Sequence, residues 1–161
     1  MAGFDVARIL TEETTKTLEC GDLVQFPLDL NADDYGDGMN AVLTALTYRP
    51  DVFTQIWYSN KNSPAIEGMK LAQVVRKSHV LQVLLITGTF SREVALDLAS
   101  ALSENYSLSY LNVDGSFPLF EQEIFDKFKN TGHLHDPQTT WTMSKDPMKN
   151  VYCFKRLPRL P

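Results

Sequence analysis

An apolar pattern recurs along the chain at a nearly constant interval. Four runs fit the spacing L-x-x-L-x-L, and their first residues stand at positions 23, 53, 81 and 108, so that the steps are 30, 28 and 27 residues. Such self-similarity predicts stacked units, because a single short unit cannot bury its apolar side alone. The runs are Leu23-Phe26-Leu28, Phe53-Ile56-Tyr58, Leu81-Leu84-Ile86 and Leu108-Leu111-Val113.

Helix-forming stretches separate these strand-like runs. Leu71, Val74 and Val75 have the spacing of one helical face, and the same face returns one unit later. Alanine, leucine, lysine and glutamine are frequent in these stretches, whereas β-branched and aromatic residues are frequent in the runs between them. The chain is therefore predicted to alternate strand and helix.

The clearest unit, LASALSENYSLSYLNVDG at residues 98–115, resembles the leucine-rich repeat family of the ribonuclease-inhibitor-like type. The resemblance extends over residues 23–128 and implies an α/β solenoid of about four degenerate repeats, with a concave parallel sheet, convex helices and terminal caps. The ladder asparagine of the family is met only by Asn31, since Lys61, Thr89 and Ser116 stand at the matching positions. An ordinary doubly wound α/β domain is the alternative.

The two ends of the chain lie outside the repeats. We expect an N-terminal cap at residues 1–22, repeats at 23–134 and a C-terminal hairpin-like cap or tail at 135–161. Two β-prone runs flank Lys145-Asp146-Pro147, which predicts a hairpin. This hairpin is expected either to cover the edge strand of the array or to bind a partner.

Composition excludes several classes of protein. Of 161 residues, 43% are hydrophobic, and the net charge of −5 argues against a broad nucleic-acid-binding face. No apolar run has the length of a membrane span, and Asp5 and Arg8 are unlike a signal peptide. Two cysteines exclude a disulfide framework. We expect a soluble cytoplasmic protein, with the nucleus as the alternative.

No constellation of residues indicates catalysis. Gly88 stands where a phosphate loop begins, but the lysine of that motif is missing. His133 and His135 have no third ligand at a characteristic spacing, and the acidic stretch 29–40 lacks the glycine and glutamate of a calcium loop. The expectation is a chain without metal or cofactor that is not an enzyme.

The outward side chains of the predicted sheet are the candidate partner-binding residues. Side chains alternate along a strand, so the positions between the apolar consensus residues face away from the helices. Trp57 and Tyr110 are central in this set, with Pro27 and Gln25 expected in the neighbouring columns. The complete predicted set is Gln55, Trp57, Val83, Leu85, Tyr110, Asn112 and Asp114.

These residues predict a protein-protein interaction module: an adaptor, scaffold or assembly subunit. An aromatic centre with a polar rim is typical of a binding hot spot, and the acidic loop with Asp33, Asp34 and Asp37 favours a basic partner. Self-association, or coverage of this face by a terminal segment, are alternatives. A second hypothesis is a small nucleotide- or ligand-binding enzyme domain that uses loops near Gly88 and Gly115.

Overall fold

Helices and strands alternate along most of the described part of the protein. The computed structural model describes residues 6–114, 126–127, 139–145 and 151–158. The helices are α1 (Val6–Cys20), α2 (Ala32–Tyr35), α3 (Met39–Tyr48), α4 (Ala65–Lys77) and α5 (Arg92–Glu104), with a short 3-10 turn at Gly36–Gly38. The strands are β1 (Leu28–Asn31), β2 (Gln55–Asn62), β3 (Val83–Thr89), β4 (Tyr110–Asp114), β5 (Thr139–Lys145) and β6 (Val151–Pro158).

The strands form one mixed sheet in the order β1-β2-β3-β4-β6-β5. The first four strands are parallel and lie in chain order, whereas β6 is antiparallel to both β4 and β5. A doubly wound sheet reverses its strand order at a switch point, and the four described parallel strands contain no such reversal. The protein is thus α/β with a mostly parallel sheet.

The tail contributes the antiparallel part of this sheet. The β-prone runs on either side of Lys145-Asp146-Pro147 are β5 and β6, which pair antiparallel. β6 also pairs with β4, where Leu111 lies opposite Phe154. The tail therefore occupies the edge that β4 would otherwise leave open, which agrees with the edge-covering alternative.

The register corrects the predicted start of the first repeat. Leu28 lies opposite Ile56, so the inward residues of β1 are Leu28 and Leu30, two positions later than expected. Leu23 and Phe26 are 49% and 68% exposed and do not belong to the core. The spacing alone matched the wrong leucine because the first unit has a leucine or phenylalanine at 23, 26, 28 and 30. The residues that lie opposite each other on the four strands are at positions 28, 56, 84 and 111, which are separated by 28, 28 and 27 residues.

The core lies between one face of the sheet and the helices. Inward side chains of the parallel strands are almost completely buried; Leu30 and Val113 have no exposed surface. In the helix layer α3 contacts α4, and α4 contacts α5. The helices therefore form a row, and the apolar side chains between this row and the sheet are buried. The other inward residues are Leu28, Ile56, Tyr58, Leu84, Ile86, Leu111 and Phe154.

A buried asparagine joins the turns of successive units. Asn105 Nδ2 donates to the carbonyl oxygens of Val75 at 2.6 Å and Ser78 at 3.2 Å. Its Oδ1 accepts from the amides of Ser107 at 2.9 Å and Leu108 at 2.6 Å. The Asn105 side chain thus provides hydrogen-bond partners for backbone groups of two successive turns. Asn105 lies before the amino end of β4, whereas the asparagine expected from the resemblance, Asn31, lies at the carboxyl end of β1.

The equivalent turn residues of the preceding units are also polar. Ser78 Oγ accepts from the amides of Val80 at 3.2 Å and Leu81 at 2.9 Å. One unit earlier, Asp51 Oδ1 accepts from the amide of His79 at 2.7 Å. Positions 51, 78 and 105 are 27 residues apart. The interval of the repeat is therefore visible in the turns as well as in the core.

Candidate functional site

An apolar stripe crosses the outward face of the sheet. Trp57 on β2 lies opposite Leu85 on β3, and Val83 on β3 lies opposite Tyr110 on β4. Side chains at such positions are near enough to contact each other across the strands. Trp57 is 39% exposed and the other three are partly buried. These four residues, called the apolar stripe below, form one continuous surface on the side of the sheet opposite the core.

Polar residues flank the stripe on both sides. Asp29 lies opposite Trp57, Asn112 lies opposite Leu85, and Asp114 lies opposite Thr87. Gln55 lies opposite Val83 at the amino end of β2. The structure therefore brings together all seven residues predicted for partner binding. The predicted neighbour Pro27 is replaced by Asp29 because the register of β1 is shifted by two residues.

Two residues from the tail belong to the same face and were not foreseen. Cys153 lies opposite Asn112, and Lys155 lies opposite Tyr110. The Lys155 ammonium is 5.8 Å from the centre of the Tyr110 ring, a cation-π distance. A hydrogen bond with the Cys153 thiol raises the pKa of Tyr110, whereas the bond from Asn112 Nδ2, at 3.5 Å, lowers it. The β-prone run at 151–158 was the only sequence signal for this placement.

Acidic groups are concentrated on the β1 side of the sheet. Asn31 caps α2, since its Oδ1 accepts from the amide of Asp33 at 3.0 Å. The predicted acidic loop is therefore helical: Asp33 and Asp34 lie in the first turn of α2, and Asp37 lies in the 3-10 turn that follows, directly after the carboxyl end of β1. Asp33, Asp34 and Asp37 are all exposed, as is Asp29. The carboxylates therefore give this side of the sheet a negative potential that attracts cationic groups.

A buried polar cluster joins β2 to α4. The Tyr58 hydroxyl donates to Glu67 Oε1 at 2.7 Å, and Asn60 Nδ2 donates to the same oxygen at 3.0 Å. The hydroxyl also bonds with Ser63 Oγ at 2.7 Å. Burial, followed by the bond to Glu67, raises the pKa of Tyr58. Its contacts hold the carboxyl end of β2 against the start of α4. Sequence reasoning missed this cluster because no sequence motif indicates it.

The packing between β2 and β3 explains Gly88. A Cβ atom at this position would overlap the carbonyl oxygen of Asn60 on the neighbouring strand. Glycine is therefore needed for close approach of the two backbones. Gly115, the other glycine of the ligand-binding hypothesis, lies outside the described residues.

A polar groove of about 360 Å³ lies at the carboxyl ends of β1 and β2. Ligands of open α/β sheets bind at such ends, although usually where the strand order reverses. The side chains that line it are those of Asn31, Ala32, Asp33, Ser59, Asn60, Lys61 and Asn62.

Neither a metal cluster nor a membrane span is present among the described residues. No three His, Cys, Asp or Glu side chains of that part of the chain converge as ligands. His133 and His135 lie outside it. Within the same ranges, no helix combines the length and apolarity needed to cross a bilayer.

Similarity to known proteins is found among solved structures. No protein-family profile and no curated protein sequence match the chain. The crystal structure of the 23S rRNA methyltransferase ErmE is 10% identical in sequence, with a TM-score of 0.32, over 93% of this chain and 70% of the other.

This finding contradicts the expectation that the chain is not an enzyme, since the matched protein is one, and that expectation is withdrawn. A likeness at this identity and TM-score assigns neither a fold nor an activity to the chain in its place.

Proposed function

We propose that the protein is an interaction module that binds a protein partner through the outward face of its sheet, as an adaptor, scaffold or assembly subunit in the cytoplasm. The observation that supports this most is the apolar stripe. It joins three neighbouring strands, and its tryptophan is 39% exposed to water on the face of the sheet opposite the core. Clustered aromatic and aliphatic side chains on a rigid scaffold are the usual anatomy of a hot spot.

The finer form of the proposal is a degenerate leucine-rich-repeat solenoid. Its repeats lie within residues 23–134, and residues 1–22 and 135–161 act as the caps. Support comes from the sequential order of the parallel strands, the register steps of 28, 28 and 27 residues, and the row of helices α3, α4 and α5. In such an array the outward sheet face is the concave side, which these folds use for binding.

The chemistry of the face defines the partner. The stripe favours apolar or aromatic anchors, and the exposed carboxylates of Asp29 and Asp114 on its two sides favour lysine or arginine next to those anchors. The described terminal strands β5 and β6 do not cover this face, since 39% of the surface of Trp57 remains exposed in their presence. A protein surface with basic and apolar residues is the occupant that the face fits.

The test is a comparison of two double variants in affinity capture. Trp57→Ala with Tyr110→Ala removes both aromatic groups of the stripe. The matched control is Tyr48→Ala with Tyr106→Ala, since these tyrosines are 78% and 62% exposed. Tyr48 is the last residue of α3, and Tyr106 follows the end of α5. We expect the first pair to lose a partner that wild type and control retain. The partner is then purified, and direct binding is measured. Equal recovery by all three proteins would contradict the proposal.

A second candidate function is a small-ligand site in the polar groove at the carboxyl ends of β1 and β2. Its support is the position of the groove and its polar lining. Thermal denaturation with a panel of nucleotides and divalent metals separates the two candidates. A rise of several degrees with one ligand, absent when Asn60→Ala is used, would favour the groove.

A further inference from the structure

We propose a second interaction surface: the free edge of β1 accepts an extended strand that carries alternating apolar and cationic side chains. β1 is an outer strand of the sheet and pairs with β2 alone among the described strands. Its other side therefore presents backbone N–H and C=O groups to an incoming chain. Such edges bind peptides by strand addition.

A groove runs beside this edge and gives the added strand a place to lie. The groove has a volume of about 290 Å³ between α1 and the segment that leads into β1. Its floor contains the buried rings of Tyr35 and Phe53, and Phe26 stands at its side with 68% of its surface exposed. An apolar side chain of the added strand would cover Phe26, which no described residue does.

The charge of the groove selects the kind of strand. Glu13 on α1 and Asp29 on β1 line it, and both are exposed. No lysine or arginine of the described residues lines the groove, and neither carboxylate forms an ion pair with them. Lysine or arginine on an incoming strand would supply the missing counter-charge.

The same carboxylates argue against a second copy of this chain as the occupant. Pairing of two β1 edges would bring a second Glu13 and a second Asp29 into one interface. Like charges at close range oppose such contacts. Pro27 and Asp29 are also the kinds of residue that protect an edge from indiscriminate pairing. The observations therefore favour a partner strand of opposite charge.

The probe is a capped seven-residue peptide of alternating valine and lysine, titrated into the full-length chain. We expect slower amide hydrogen exchange at residues 28–31, by about fivefold or more at saturation. Two control peptides carry N-methyl groups on alternate amides or glutamate in place of lysine. Neither control is expected to protect these amides, since one lacks strand hydrogen bonds and the other the cationic charge.

Variants of the chain locate the site. Glu13→Lys and Phe26→Ala should each weaken binding of the valine-lysine peptide about fivefold or more, whereas Glu19→Lys, an exposed position on α1 outside the groove, should not. Trp57→Ala with Tyr110→Ala should bind the peptide as wild type does, so that failure of this proposal and failure of the proposed function are distinguishable. No binding at millimolar peptide, or protection at β5 instead of β1, would overturn the proposal.

Discussion

Replacing Asn105 with alanine is expected to lower the free energy of unfolding by about 3 kcal/mol. The side chain is 2% exposed and bonds with the backbone of Val75, Ser78, Ser107 and Leu108. Alanine would leave the Val75 carbonyl and the amides of Ser107 and Leu108 without these bonds in a largely buried turn, and each unpaired buried group costs about 1–3 kcal/mol. Denaturant unfolding followed by circular dichroism measures the difference.

Asn62→Ala is the matched control for this variant. Asn62 is exposed at the end of β2, and its loss should change the free energy of unfolding by no more than about 0.5 kcal/mol. An equal effect of the two substitutions would show that the Asn105 hydrogen bonds do not hold the two turns together.

Gly68→Ala is expected to destabilise the protein by about 2 kcal/mol, although alanine is the better helix former by about 1 kcal/mol. Gly68 lies in α4 at its contact with α5, and an added Cβ would overlap Cγ1 of Val94 and lie 3.1 Å from its Cγ2. Valine has little rotamer freedom in a helix, so it cannot turn away. Relief would require the two helices to separate.

A double-mutant cycle identifies the cause. Val94→Ala alone removes buried methyl groups and should cost about 2 kcal/mol. The double variant Gly68→Ala with Val94→Ala should be no less stable than Val94→Ala, because the obstructing methyl groups are gone and the helix propensity remains. Additive losses in the double variant would rule out this contact as the cause.

The sequence predicted the parts of the fold that depend on local periodicity. The units containing Leu84 and Leu111 were placed correctly because their strand residues are flanked by polar turns. The first unit was shifted by two residues because Leu23, Phe26, Leu28 and Leu30 allow two alignments, and only burial against the helices chooses between them. Spacing contains no information on that choice.

Contacts between distant segments lay beyond sequence reasoning. The apolar stripe followed from alternation within each strand, but Lys155 and Cys153 reach it through the pairing of β6 with β4. That pairing depends on the path of the tail, for which one sequence offers only β propensity. The Tyr58, Asn60 and Glu67 cluster was missed for the same reason: its members belong to a strand and a helix whose mutual orientation arises from packing.

The central claim is that the apolar stripe binds the partner, and its most direct test is the dissociation constant of the purified partner. We expect Trp57→Ala with Tyr110→Ala to raise this constant about a hundredfold, since the two aromatic groups of the stripe contribute about 3 kcal/mol or more together. Tyr48→Ala with Tyr106→Ala should leave it within about twofold. Equal affinity of the two double variants, with both shown to be folded by circular dichroism, would contradict the account.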